Sequence, residues 1–466
     1  MTAVVGGIWL LNPSPLNLLL IGLKALIVVL AIQDLFIPTL IFVVFSQFRL
    51  HEAFPFLFEE RLPQFLAVVA LGALVWHLLF VRSIKPFWSR ELSLLMIFFV
   101  IATFGVAFAV DRATAAAYWE GTFLKVILMS IAIAWTARRP AEFALAARAF
   151  TIGGILLATV ALYNKVSGIG LVEGTRVTIG RDLGSLIGDP NDLSLTLLFP
   201  LGFAGALFVT RVEWFDRVLG GIGCVTIVLG IVATQSRGGL LGLVAVAAVL
   251  AMSRIRSKLI IAAGAVVLCL ALFSVAAISQ RQSGGAAEEG IDESAQGRLT
   301  AWETAWNMAK ARPITGVGLV NSSESYYFYT PVWSGKNHAV HSTWLQILAE
   351  TGFPGLILFL LMVIAVFRSS YASSRFFRSP DADPRMRAMS VAITAAFLGF
   401  CVSGTFLTQG LTWPFYIILS LTVALAHERE AEQLAKVEPV PASAPPVPAT
   451  PRIFLVGGAN NPRRPR

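Results

Sequence analysis

The sequence predicts an all-α polytopic membrane protein of about twelve transmembrane helices, with one large outer loop carrying short helices. Three observations predict it. Of 466 residues, 56% are hydrophobic and only 14% are charged, whereas a soluble domain carries about 25% charged residues. Long apolar runs recur from residue 16 to residue 426, each near the roughly 20 residues that cross a bilayer. Basic residues collect in the short segments between those runs.

Taken in order, the runs place spans at 16–46, 62–81, 92–110, 116–136, 143–164, 184–210, 218–234, 238–252, 257–278, 343–367, 388–408 and 411–426. The first is too long for one straight helix; Asp34 and Pro38 break it, leaving one span or two short ones. Arg82, Lys85 and Arg90 form one basic loop, and Arg138 with Arg139 a second. Arg211 and Arg217, then Arg254, Arg256 and Lys258, then Arg368, Arg375, Arg378, Arg385 and Arg387 continue the series. These loops follow every second span, so all lie on one side, and the excess of Lys and Arg makes that side cytoplasmic, both termini included. The resulting units are a bundle over 1–278, an outer loop over 279–342, helices over 343–427 and a Pro- and Ala-rich tail over 428–466. The tail and the segment 283–297 read as disordered or flexible. A long loop among tight connections is where function is expected.

The net charge of +9 does not signal nucleic acid, because no basic stripe with interleaved aromatics occurs. Cys224, Cys269 and Cys401 fall inside apolar runs, without metal-ligand spacing. The first basic residue is Lys24, inside an apolar stretch, so no cleavable leader is expected. Walker A, Gly-x-Ser-x-Gly and His-Glu-x-x-His motifs are all missing from the sequence, which removes support for ATP-driven and hydrolase chemistry.

Four segments on the outer side carry the candidate chemistry. In Thr234-Gln235-Ser236-Arg237-Gly238-Gly239, Arg237 stands at the outer edge, where a lone arginine is disfavoured. It either meets an anionic ligand, with the glycines admitting a phosphate close to the backbone, or snorkels to headgroups. Arg176 and Arg181 precede Gly188-Asp189-Pro190-Asn191. Guanidinium forks bind phosphate oxygens, though Arg181 and Asp182 also suit a helix start. From Gly297 and Arg298, helical spacing through Leu299, Trp302, Ala305, Trp306 and Ala309 predicts a short interfacial helix closed by Pro313 and Gly316. Its tryptophans serve as interface anchors or as faces for sugar rings. Two of the five histidines, His338 and His341, stand where the long loop enters a span. Either can take a proton near neutral pH or position a ligand; capping is the structural alternative. No Cys or carboxylate cluster completes a metal set around them, so neither metal nor other cofactor is expected. Several arginines and a histidine on one face imply an anionic, lipid-linked substrate such as a phosphate or diphosphate.

The segment His341-Ser342-Thr343-Trp344-Leu345-Gln346-Ile347-Leu348-Ala349-Glu350-Thr351-Gly352 resembles the His-x-x-x-Leu-x-x-Leu-Ala-Glu-x-Gly signature of the bacterial O-antigen ligase and polymerase superfamily. Ser236-Arg237-Gly238-Gly239 resembles its Ser-Arg-Gly segment, and Gly188-Asp189-Pro190-Asn191 its Gly-x-Pro-Asn segment. Arg298 with Trp302, Pro313, Gly316 and Gly318 resembles the start of its large loop. These lie in the family's order across roughly residues 170–360. The stretch around Phe48-Arg49-Leu50 resembles ligases of exosortase systems. The resemblance implies mostly twelve transmembrane helices and a large periplasmic loop in a bacterial inner membrane. It also implies a donor glycan on undecaprenyl diphosphate and metal-independent, inverting transfer to an acceptor hydroxyl, with lipid A–core favoured. Carried over, Arg237 and Arg176 would hold the diphosphate, His341 would act as base or orient the acceptor, and Arg298 would support the site. Arg181, Trp302 and Asn191 are further candidate substrate contacts. The family often has Asn after the histidine where this chain has Ser342, and Asn337-His338 lies close by. Ligase, polymerase and protein O-oligosaccharyltransferase share donor and site and are not separated by the signature. A lipid-linked glycan flippase would instead place charges along a path at mid-membrane, and a scaffold would tolerate loss of Arg237 and His341.

Overall fold

A computed structural model of the protein describes residues 15–58, 60–210, 212–275 and 295–437. The expected tail beyond 437 and the flexible segment up to 294 lie outside the described residues. Among the described residues the chain forms helices and turns and no β-strand. Eight helices among the described residues are long and apolar enough to cross a membrane, and four shorter apolar ones accompany them.

The first expected span is two helices, α1 (Pro15–Gln33) and α2 (Phe36–Phe48). The break falls at Asp34, whose carboxylate accepts the Phe36 N–H at 2.7 Å and so starts a second helix instead of continuing the first. Helices α3 (Leu62–Leu79), α4 (Arg90–Ala107), α5 (Arg112–Thr136) and α6 (Pro140–Ser167) follow. Next come α7 (Pro190–Val209), α8 (Trp214–Thr234), α9 (Arg237–Met252) and α10 (Lys258–Val275). The expected span 184–210 begins only at Pro190. Asp189 accepts the Asn191 and Asp192 N–H groups, and Pro190 suits the first helical position. Helix α11 (Ala295–Ala311) stops just short of Pro313, as its sequence predicts. The last three are α12 (Thr343–Phe376), α13 (Pro384–Gly404) and α14 (Trp413–Val437). Helix α14 passes the boundary expected at 427, because its charged end is rich in helix formers and pairs Lys436 with Glu432 at 2.8 Å.

Helix α7 is the centre of the bundle: 83% of its apolar window is buried, against 33% for α8. Helices α6, α8, α9 and α13 surround it. Small residues let these backbones approach. A Cβ on Gly220 of α8 would stand 2.6 Å from Ala204 O, and one on Gly202 of α7 would stand 3.0 Å from Ala392 O. The outer face of α8 exposes Val218, Ile222, Val225 and Leu229, an apolar stripe at helical spacing that suits lipid and would be unfavourable in water. The chain is therefore a membrane protein.

The helix ends sort into two groups. At one end, Arg148 binds Asp216 through Nε at 2.6 Å, Arg138 donates to Lys85 O at 2.7 Å, and Arg385 lies 3.6 Å from Glu213. The basic loops collect there. The opposite end holds the start of α7, α9, α12 and α14, the end of α8 and α13, and the segment 313–342.

Candidate functional site

At this second end, a tight turn at Glu173-Gly174 folds the chain back so that Val172 and Arg176 exchange backbone hydrogen bonds at 2.9 Å. The turn drives the Arg176 side chain inward, where it is fully buried. Its Nε donates to Thr234 O at 3.2 Å and a terminal nitrogen donates to Asn191 Oδ1 at 2.9 Å. A buried guanidinium is tolerated because charged hydrogen bonds replace its water. The sequence expects both Arg176 and Asn191 to contact substrate; in the structure they bind each other and join the end of α8 to the start of α7. Thr175 Oγ1 adds a bond to Gln235 Oε1 at 3.0 Å.

What this clamp fixes is the loop that carries Arg237. Gln235 holds a left-handed φ of 51°, and Ser236 caps α9 by accepting the Gly239 N–H at 3.1 Å. Arg237 then projects outward. It is exposed, and no hydrogen bond or ion pair engages it among the described residues. The two glycines that follow lie against packed neighbours. A Cβ on Gly239 would strike Ser194 Oγ of α7 at 2.3 Å, and one on Gly238 would stand 3.3 Å from Phe406. At both positions the missing side chain lets neighbouring segments pack closely. Arg181 is also exposed, in a turn after Gly180. Nearby, burial acts to raise the Glu52 carboxyl, but hydrogen bonds from His51, Arg49 and Ser185 outweigh it and hold the pKa down to about 2.

The second part of the site is the start of α12. His341 takes a left-handed φ of 51°, a conformation uncommon outside glycine and stored where surrounding bonds enforce it. Those bonds are on both sides of the residue: its N–H donates to Thr408 Oγ1 at 2.9 Å, and its carbonyl accepts Trp302 Nε1 at 3.5 Å. The turn leaves His341 half-buried. Ser342 then caps the helix through Leu345 N–H. His338, three residues earlier, is buried at 6% exposure. Its Nε2 faces Ser334 Oγ at 2.5 Å and its ring lies edge-on to Tyr326. Burial pushes its pKa below the usual histidine value. The structure thus brings His341 and Trp302 together and keeps His338 apart in the wall of the loop.

The rest of the signature is structural, in a way the sequence did not announce. Glu350 is buried and accepts Val320 N–H at 2.9 Å and Ser322 Oγ at 2.6 Å. Val317 N–H reaches Ala349 O at 2.8 Å, and Phe353 N–H reaches Pro313 O at 2.8 Å. Gly352 breaks α12 with φ 71° and ψ −172°. Together Ala349, Glu350 and Gly352 dock the segment 313–322 that follows α11.

The loop 405–412 joins both halves. Helix α13 ends at Gly404 instead of 408, since Thr343 Oγ1 donates to Leu407 O at 2.8 Å and turns the chain away. Phe406 packs on Gly238 beside Arg237 and lies 5.9 Å from the Arg298 guanidinium. Thr408 holds His341, Gln409 donates to Asp192 Oδ1 at 2.7 Å, and Gly410 N–H meets Gln346 Oε1 at 2.9 Å. Sequence reading missed Phe406, Thr408, Gln409, Asp192 and Gln346. Thr-Phe-Leu-Thr extends an apolar run, and the only signal was the Thr-Gln-Gly-Leu-Thr-Trp cluster after it.

The surface so built offers cations at Arg237, Arg181 and half-buried Arg298, an imidazole at His341 and an indole at Trp302. It can hold an anion and place a proton acceptor beside it. The O-antigen ligase family matches residues 222–360, from the middle of α8 to the middle of α12. That stretch contains Arg237, Arg298, Trp302, His338, His341, Glu350 and Gly352, and leaves out Arg176, Arg181 and Asn191. No curated protein matches the chain.

Proposed function

We propose, from the premise that residues 222–360 are an O-antigen ligase region, that the protein transfers a glycan from undecaprenyl diphosphate to an acceptor hydroxyl. The face is periplasmic, the membrane is the bacterial inner membrane, and both termini are cytoplasmic. The observation that carries this reading is Arg237: an exposed, unpartnered guanidinium among the described residues, held by a buried clamp on the same bundle end as His341. Arg237 binds the donor diphosphate. The acceptor oxygen attacks the anomeric carbon and His341 orients the hydroxyl or takes its proton. The bond from that carbon to the diphosphate oxygen breaks, and the lipid diphosphate leaves with the electron pair. The configuration inverts. Arg237 and Arg298 stabilise the charge that grows on the leaving group, and Trp302 supports the turn that presents His341. Arg176 acts through its neighbours as a positioning residue. A lipid A–core sugar is the favoured acceptor; a growing glycan or a protein hydroxyl would make the same chemistry a polymerase or a protein O-oligosaccharyltransferase.

The test is transfer by purified protein in liposomes with undecaprenyl-diphosphate glycan and a panel of acceptors. Wild type should transfer, and Arg237→Ala and His341→Ala should each lose about 10²-fold or more while melting like wild type. Undiminished transfer by both variants would overturn the site. Movement of the lipid-linked glycan between leaflets without transfer would replace the enzyme by a flippase.

A further inference from the structure

A small cleft of about 100 Å³ opens at the bundle end remote from Arg237. Four chain segments form it: Thr210 after α7, Ser253 and Arg254 after α9, Ser374 and Arg378 around the end of α12, and Arg387 in the first turn of α13. Three guanidinium groups thus line one concavity, and among the described residues no carboxylate does. Arg387 is partly occupied, donating to Phe377 O at 3.0 Å and to Ser379 O. Arg254 and Arg378 are exposed, and neither side chain has a hydrogen bond or ion pair among the described residues.

Basic residues on a cytoplasmic end are ordinary, and cations near the ends of α9 and α12 complement those helix dipoles. Both reasons explain charge in this region. Neither explains three arginines converging on a cleft, where mutual repulsion opposes the arrangement unless an anion enters. The hydroxyls fit an anion too. Those of Ser253 and Thr210 are bonded to their own helices, whereas that of Ser374 has no partner among the described residues and is free to donate. Next to the lining residues, Phe208, Met252 and Ile255 are exposed by 52%, 47% and 39%. Apolar surface therefore runs directly up to the cationic cleft.

We propose that this cleft binds the phosphate of an anionic membrane phospholipid, with the arginines and Ser374 on the phosphate and the acyl chains along the neighbouring apolar surface. The recognising chemistry is a phosphate oxyanion. The apolar border favours the lipid source over a soluble one.

Native mass spectrometry of the full-length protein, released from mixed phosphatidylglycerol and phosphatidylcholine micelles, tests it. Wild type should retain phosphatidylglycerol several-fold over phosphatidylcholine. Arg254→Gln with Arg378→Gln should abolish the preference. Arg256→Gln with Arg368→Gln, which removes equal charge outside the cleft, should keep it. Equal loss in both pairs would overturn the site in favour of bulk attraction, and no preference in wild type would overturn it outright. A second arm melts the protein in phosphatidylcholine alone with millimolar inorganic phosphate. Stabilisation of wild type but not of the cleft variant, without any lipid preference, would overturn the lipid as occupant and assign soluble phosphate. Both cleft side chains are exposed, so the variants should melt like wild type without anion, and glycan transfer is not needed for either readout.

Discussion

Gly352→Ala is the sharpest test of how the loop after α11 is held. Gly352 combines φ 71° with ψ −172°, a region that is essentially glycine-only and costs other residues about 1–3 kcal/mol. The added Cβ would also stand 2.6 Å from Pro313 O and 2.7 Å from Ile314 C. Those are backbone atoms and cannot rotate aside, so overpacking adds about 1–3 kcal/mol. Relief requires residues 313–314 to move, which breaks the bond from Phe353 N–H and strains that from Val317 N–H. The total loss is then about 2–6 kcal/mol, measured as the change in unfolding of detergent-purified protein by heat or denaturant. Gly264→Ala on α10 is the control. Nothing lies within 4 Å of its Cβ, so alanine should be neutral or stabilise by up to about 1 kcal/mol through helix propensity. If Gly352→Ala unfolded like wild type, the docking of segment 313–322 on the break in α12 would be wrong.

Glu350→Ala should destabilise by about 2–4 kcal/mol, since it leaves Val320 N–H and Ser322 Oγ buried without their acceptor; thermal melting checks this, and Glu350→Gln should recover part of the loss. Arg176→Met should lower both melting temperature and transfer, because Thr234 O and Asn191 Oδ1 lose a charged donor worth about 2–3 kcal/mol, whereas Arg237→Ala lowers transfer alone. Glu52 gives an acid limb. Its folded pKa of about 2 lies below the ordinary 4.5, so its contribution to stability is present above pH 4.5 and is lost as pH falls toward 2. Glu52→Gln should flatten that limb in a melting series, and an unchanged limb would remove the role given to Arg49 and Ser185.

The bundle was legible because lipid imposes long apolar helices and short basic connections, and both survive in composition alone. The break at Asp34 was legible for the same reason: a carboxylate in an apolar run needs an N–H to accept. Of the candidate site, Arg237, Trp302, His338 and His341 stood out in the sequence as polar or aromatic residues where the pattern changes. Their division of labour was not. Whether an arginine faces a ligand or a carbonyl depends on a turn of two residues, and Glu173-Gly174 sends Arg176 inward. The glycines of the Ser-Arg-Gly-Gly segment look the same in sequence whether a phosphate or Ser194 approaches them. Thr408 and Gln409 act through contacts with partners far away in the chain, for which no local pattern exists.

Helices α7, α9, α12 and α13 each contribute one terminus to the end that carries Arg237 and His341 and the other to the arginine cleft. They are stiff and close-packed, so a change in their mutual tilt is shared by both surfaces. Suppose that two arrangements of these four helices differ in their affinity for a ligand at either end. Thermodynamic reciprocity then requires that occupancy of one surface alter binding at the other by the same factor in both directions. A molecule held in the arginine cleft would in that way set the grip on a ligand at the far end of the bundle, with no contact between the two.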